Sequence, residues 1–119
     1  MAVWHLNLTS LSGKGAEDQA LLFLKKQGLS LVERNWACRF GEIDLVMREQ
    51  YTYVFVEVKY RKNNHFGGVL HSISAAKCAK LLHAAEYYLS IKKIRPECRI
   101  DAVFLQDDVE PLWLKNITG

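Results

Sequence analysis

The chain has 119 residues, is half apolar, and carries 16 Lys and Arg against 13 Asp and Glu, a net charge of +3. That length supports a single domain with one core, and no run reaches the roughly 18 apolar residues of a membrane span. The charge permits nucleic-acid binding without demanding it.

The first eleven residues lack the charged start and long apolar stretch of a signal peptide and are expected to form a loosely ordered leader. Ser12 is placed to cap a helix from about Gly13 to Gln27, with Gly28 to stop it. Glu17 shares a face of that helix with Ala20, Leu21 and Leu24, an unusual position for a carboxylate. From Leu29 to Phe40 the alternation puts Val32, Trp36, Cys38 and Phe40 on one side of a strand and Glu33, Asn35 and Arg39 on the other, with a bulge expected near Asn35.

Glu42 to Met47 reads as a second strand and Thr52 to Tyr60 as a third, with a turn between them. If the turn centres between Gln50 and Tyr51, residues whose numbers sum to 101 pair across the hairpin. Asp44 then faces Glu57, and Lys59 shares the face of Glu57. A polar loop over residues 61–68 leads to a helix from Ser72 or Ser74 to Ile91, packing through Ala76, Leu81, Ala84, Ala85, Tyr88 and Leu89. Lys77 and Lys80 are expected on its outer face. Arg99 to Leu105 forms a fourth strand after a strand–helix–strand crossover, and Leu112 to Ile117 a short fifth. The domain thus comprises the leader, a core of about residues 12–105, and a C-terminal strand at 112–117.

Asp44 and Glu57 lie inside apolar runs, where an unpaired charge is costly. Facing each other they repel unless a cation lies between them. The arrangement suits Mg2+ or Mn2+, held by Asp44 and Glu57, with the Val58 carbonyl as a third oxygen and Glu17 approaching from its helix. A metal so held lowers the pKa of bound water and shields a phosphate, and Lys59 would contact the attacking water or the scissile phosphate. The catalytic set for phosphodiester hydrolysis is then Glu17, Asp44, Glu57 and Lys59. Arg34, Arg39, Arg61, Lys62, Lys77 and Lys80 flank these residues in sequence and together could track phosphates. The competing account is a salt-bridged strip on an exposed sheet face, which is how a lone Glu-x-Lys on a strand usually arises. The residues alone leave both accounts open.

Other candidates are weaker. His5, His65, His71 and His83 lack metal-ligand spacing. Asp101 interrupts an apolar strand but has Arg99 two residues away to pair with. Cys38, Cys78 and Cys98 are odd in number, widely spaced and without a Cys-x-x-Cys pair, which points to buried, reduced thiols in a cytoplasmic protein.

The run from Glu33 to Val46, which contains Gly41-Glu42-Ile43-Asp44-Leu45, and the run Val54-Phe55-Val56-Glu57-Val58-Lys59-Tyr60-Arg61 resemble the YraN-like family of small bacterial proteins. So do Gly15-x-Glu17, Phe66-Gly67, Lys77 and Arg99-Ile100-Asp101. That family looks like a branch of the PD-(D/E)XK, or restriction-endonuclease-like, superfamily and is similar in layout to archaeal Holliday junction resolvases. The resemblance implies an α/β fold with an αβββαβ core, with a mixed sheet flanked by helices. It further implies Asp44, Glu57 and Lys59 as the Asp…Glu-x-Lys signature and Glu17 as the helix-borne acid. Ile43 stands where the signature carries proline. The expected activity is metal-dependent endonucleolytic cleavage of DNA, with branched or damaged DNA as candidate substrates. DNA is expected before RNA as partner, a homodimer is a candidate assembly, and no membrane is involved. The alternatives are a nucleic-acid-binding module without turnover and a structural or interaction protein.

Overall fold

The computed structural model describes residues 13–61 and 73–119. Two helices and five strands follow in the order α1 (Gly13–Lys26), β1 (Ser30–Cys38), β2 (Gly41–Glu49), β3 (Thr52–Arg61), α2 (Ala75–Lys92), β4 (Cys98–Gln106) and β5 (Val109–Leu114). The expected leader, Ser12, Lys62 and the Phe66-Gly67 pair lie outside the described residues. The sheet runs β1-β2-β3-β4-β5 and is antiparallel except for the parallel pair β3–β4. Parallel neighbours require a crossover, and the segment carrying α2 supplies it. The result is an α/β fold with a mixed sheet, consistent with a restriction-endonuclease-like core.

Period-two alternation along β3 divides the core. Val54 and Val56 pack with Leu45, Met47 and Val103 under Ala16, Ala20 and Leu24 of α1. Phe55 packs on the other face with Ile43, Val46 and Ile100 under Leu81, Ala84, Ala85 and Tyr88 of α2. Each fully buried large side chain contributes about 1.5–3 kcal/mol. Small residues one turn apart in α1 (Ala16, Ala20) let that helix sit close on the sheet. Gly28, at φ +99, ends α1 in the left-handed region where a side chain is strained. Helix α2 starts at Ser74, whose hydroxyl accepts from the Lys77 N–H at 3.1 Å, and stops at Lys93 in the left-handed conformation. Ala76, expected in its packing face, is exposed because the buried stripe begins only at Leu81.

Strand β1 departs from simple alternation. Trp36, Cys38 and Phe40 pack together against the α2 core as expected, but Val32 is exposed. The register shifts between Leu31 and Glu33, so the extra residue turns Val32 outward and sends Glu33 to the α2 face, where it accepts from the Tyr88 hydroxyl. Asn35 takes φ 51. On the partner strand Leu45 belongs to the α1 core and Ile43 to the α2 core, so alternation slips across Asp44. The pairs Arg34–Leu45 and Trp36–Ile43 bracket both Asn35 and Asp44, placing the two irregularities side by side. Strand β5 begins three residues earlier than expected because a tight turn, with Asp108 at φ 62, follows β4 directly.

Candidate active site

The β2–β3 hairpin has the expected register: every pair from Glu49–Thr52 to Leu45–Val56 sums to 101. The ladder ends there, one pair short of the expected Asp44–Glu57 pair. The face slip at Asp44 accounts for this, since a strand that changes face cannot continue regular pairing. Asp44 Oδ2 instead accepts a 2.8 Å hydrogen bond from the Val58 N–H, satisfying a backbone donor beyond the end of the ladder.

Burial is the main cause that raises the Asp44 carboxyl to about 6. The Val58 N–H opposes this, while the charges of Glu57, Glu17 and Glu42 push the same way as burial. Asp44 therefore sits in a field of like charge. Glu57 is 5% exposed and is offset by two cations from different elements. Lys59 Nζ lies 3.5 Å and Lys77 Nζ 3.6 Å from the same Glu57 oxygen. Glu17, half-buried on α1, is engaged by Arg34 at 3.6 Å. Among the described residues no three His, Cys, Asp or Glu side chains gather closely enough to hold one ion between them. Glu17 thus acts on Asp44 through its charge and is itself paired with Arg34.

The remaining donor set still fits a hard divalent cation. Two carboxylates from adjoining strands, all-oxygen chemistry and an excess of negative charge around Asp44 are what Mg2+ or Mn2+ accepts, with waters completing the shell. Asp44, Glu57 and the Val58 carbonyl are the groups that would hold it.

The basic residues divide. Arg34 is committed to the acids of α1, with Asp18 Oδ1 at 2.7 Å as well as Glu17. Arg39 is exposed, its guanidinium 4.9 Å above the Phe40 ring. Arg61, at the end of β3, and Lys80 are exposed. Lys77 does not share the outer face of α2 with Lys80 but turns inward to Glu57. The signal was present in the spacing: Lys77 lies four, seven and eleven residues before buried Leu81, Ala84 and Tyr88.

Asp101 has a different setting. It is fully buried and bonded by Arg99 Nε at 3.0 Å, Trp113 Nε1 at 2.9 Å and the Asn116 N–H at 2.9 Å. Arg99 also reaches Glu49 at 2.8 Å. This ties β2, β4 and the chain beyond β5 together. The thiols are free, but none is buried as expected: Cys98 is exposed at the start of β4, and Cys38 and Cys78 are half-buried at the margins of the α2 core.

A mixed five-stranded sheet between two helices, with an acid pair and a lysine on adjoining strands, defines the class as an α/β domain of restriction-endonuclease-like layout. The chain belongs to the family described as "Uncharacterised protein family UPF0102", which matches residues 16–105 and is YraN-like. It is 47% identical over 115 residues to UPF0102 protein NMB2089 of Neisseria meningitidis serogroup B, covering 96% of this chain and all of that one. A UPF0102 protein of Shewanella loihica is 46% identical over 87% of this chain and 90% of its own. One of Janthinobacterium sp. is 48% identical over 89% and 85% respectively. Among the described residues no helix is long and apolar enough to cross a membrane.

Proposed function

We propose that this protein is a divalent-metal-dependent nuclease that hydrolyses phosphodiester bonds in DNA, with branched or damaged DNA as its substrates. The observation that carries the reading is the end of the β2–β3 ladder. There a half-buried, charge-crowded Asp44 adjoins Glu57, and two ammonium groups meet one Glu57 oxygen. Asp44 and Glu57, with the Val58 carbonyl, hold the ion. When bound, Mg2+ or Mn2+ lowers the pKa of a coordinated water and offsets phosphate charge.

The chain's own residues do the rest. Glu57 anchors Lys59, which orients the attacking water or holds a non-bridging phosphate oxygen. Lys77 brings a second positive charge from α2 to the same place, so a phosphate entering the site exchanges one anionic partner of these lysines for another. Glu17 adds negative charge near Asp44 and is kept in place by Arg34. Three free thiols support a cytoplasmic setting.

One observation favours a nucleic-acid-binding module without turnover instead: among the described residues, no third acid completes a metal-holding group. Cleavage of linear, single-stranded, flapped and four-way DNA, with and without Mg2+ or Mn2+, decides between them. Metal-dependent products from the wild type that Lys59→Ala fails to make support the nuclease. Binding without products across the panel supports the module.

A further inference from the structure

A shallow groove of about 380 Å3 is lined by Phe40, His83, Glu86, Tyr87 and Ser90. Its chemistry is aromatic rather than aliphatic. Phe40 meets His83 edge-on at 5.7 Å and Tyr87 edge-on at 5.6 Å, and Arg39 stacks its guanidinium over the Phe40 ring. Tyr87 is 37% exposed and His83 is exposed, so rings that would help a core by closing inward are instead presented to solvent. Trp36 and buried Tyr88 hold the cluster from behind, at 6.2 Å from Tyr87 and 5.0 Å from Trp36 respectively.

Helix α2 links the groove to the proposed site: Lys77 near its start reaches Glu57, and His83, Glu86 and Tyr87 further along line the groove. Lys77 makes its contact from the inner side of α2, and Lys80, His83 and Tyr87 follow it along the helix on the exposed side, at spacings of three and four residues. Ten residues of helix span about 15 Å. A strand with a stacked rise of ~3.4 Å covers that length in about four nucleotides. Along the helix the order runs from two cations to two rings, the order needed to hold phosphates near the acids and bases beyond them. Glu86 lines the groove as an acceptor, which repels phosphate but accepts from an exocyclic base amine.

We infer that Phe40, His83 and Tyr87 form a stacking site for an unpaired nucleobase, a few nucleotides from the phosphate held by Lys59 and Lys77. The inference deepens the nuclease reading and rests on it for the position of that phosphate: it assigns a substrate with unpaired bases beside the scissile bond. A fully paired duplex offers no free base face and gains nothing from the groove.

The test is a fluorescence titration of a short single-stranded DNA carrying 2-aminopurine, beside a fully paired duplex, with Ca2+ present and strand integrity checked. The wild type should quench 2-aminopurine on binding. Tyr87→Leu keeps an apolar side chain without a π-face, and should lose the quenching and weaken single-strand binding about tenfold. Tyr87→Phe should retain both, and duplex affinity should be the same for all three. His83→Ala, at an exposed position, should weaken single-strand binding selectively and serves if Tyr87→Leu does not fold. Unchanged single-strand affinity in a folded variant, or equal loss on single strand and duplex, overturns the inference. The nuclease reading fails separately, if the wild type cuts nothing in Mg2+ or Mn2+ while the quenching persists.

Discussion

Asp101 and Asp44 are both acids on interior strands, and they are treated in opposite ways. Asp101 is fully buried but supplied with three donors, one of them a guanidinium. Asp44 keeps one backbone donor, and burial, with three acidic neighbours adding to it, raises its carboxyl to about 6. A carboxylate that serves the fold is saturated, because each missing partner costs stability. One that is short of donors and crowded by like charge holds its place at a cost, and a cation would remove that cost. Glu57 stands between the two: its lysines lie 3.5 and 3.6 Å away, close enough to offset its charge but too far for strong hydrogen bonds.

The comparison breaks most visibly at Asp101. Asp101→Ala leaves half-buried Arg99 with Glu49 alone, strips Trp113 Nε1 and the Asn116 N–H of their acceptor, and should cost about 3–5 kcal/mol, read as a fall in the urea midpoint. A loss below about 1 kcal/mol would mean that the network is not what secures β5. Next in size, Lys59→Ala should reduce cleavage by about 10²–10³-fold, the usual effect of removing one charge-stabilising donor, with the fold intact by circular dichroism. It should leave intact the thermal shift produced by metal, because the lysine is not a ligand. Mg2+ or Mn2+ at about a hundred times its Kd should stabilise the wild type by about 2.7 kcal/mol, visible as a higher Tm.

The smallest effect sharpens the contrast. The folded-state carboxyl of Asp44 is raised to about 6 from 3.8. Its stabilising contribution is therefore fully present below about pH 4 and is lost as pH rises through about 6. Discounted for partial exposure, the change is about 2 kcal/mol. Asp44→Asn should remove this pH dependence, match or exceed the wild type in metal-free stability at pH 7, and lose most of the metal-induced gain. If the variant were instead less stable than the wild type in EDTA at pH 7, Asp44 would be a structural acid like Asp101.

Strands β2 and β3 were legible because their pattern is local. Alternation and a two-residue turn set the register of a hairpin, so the sum of 101 followed from counting. The adjoining placement of Asp44 and Glu57, and of Lys59 beside Glu57, came with it. The crossover before β4 was legible too, since a helix-period segment between two apolar strands leaves few ways to close a sheet. Glu17 could be assigned to the packing side of α1 from its spacing to Leu21 and Leu24, but its engagement by Arg34 depends on where β1 lies.

What tertiary structure alone decided concerns contacts between elements far apart in sequence. The bulge before Glu33 arises where β1 must satisfy β2 on one side and Tyr88 of α2 on the other. It carried Val32 out and Arg34 toward α1, which no alternation count could show. The ladder stops before Asp44 because the strand changes face there, a result of two cores competing for Ile43 and Leu45. Lys77 was readable as a helical residue, but whether it pointed at solvent or at Glu57 depended on how α2 is rotated on the sheet. A periodicity identifies a face, whereas the side chain that meets that face is chosen by packing across many intervening residues.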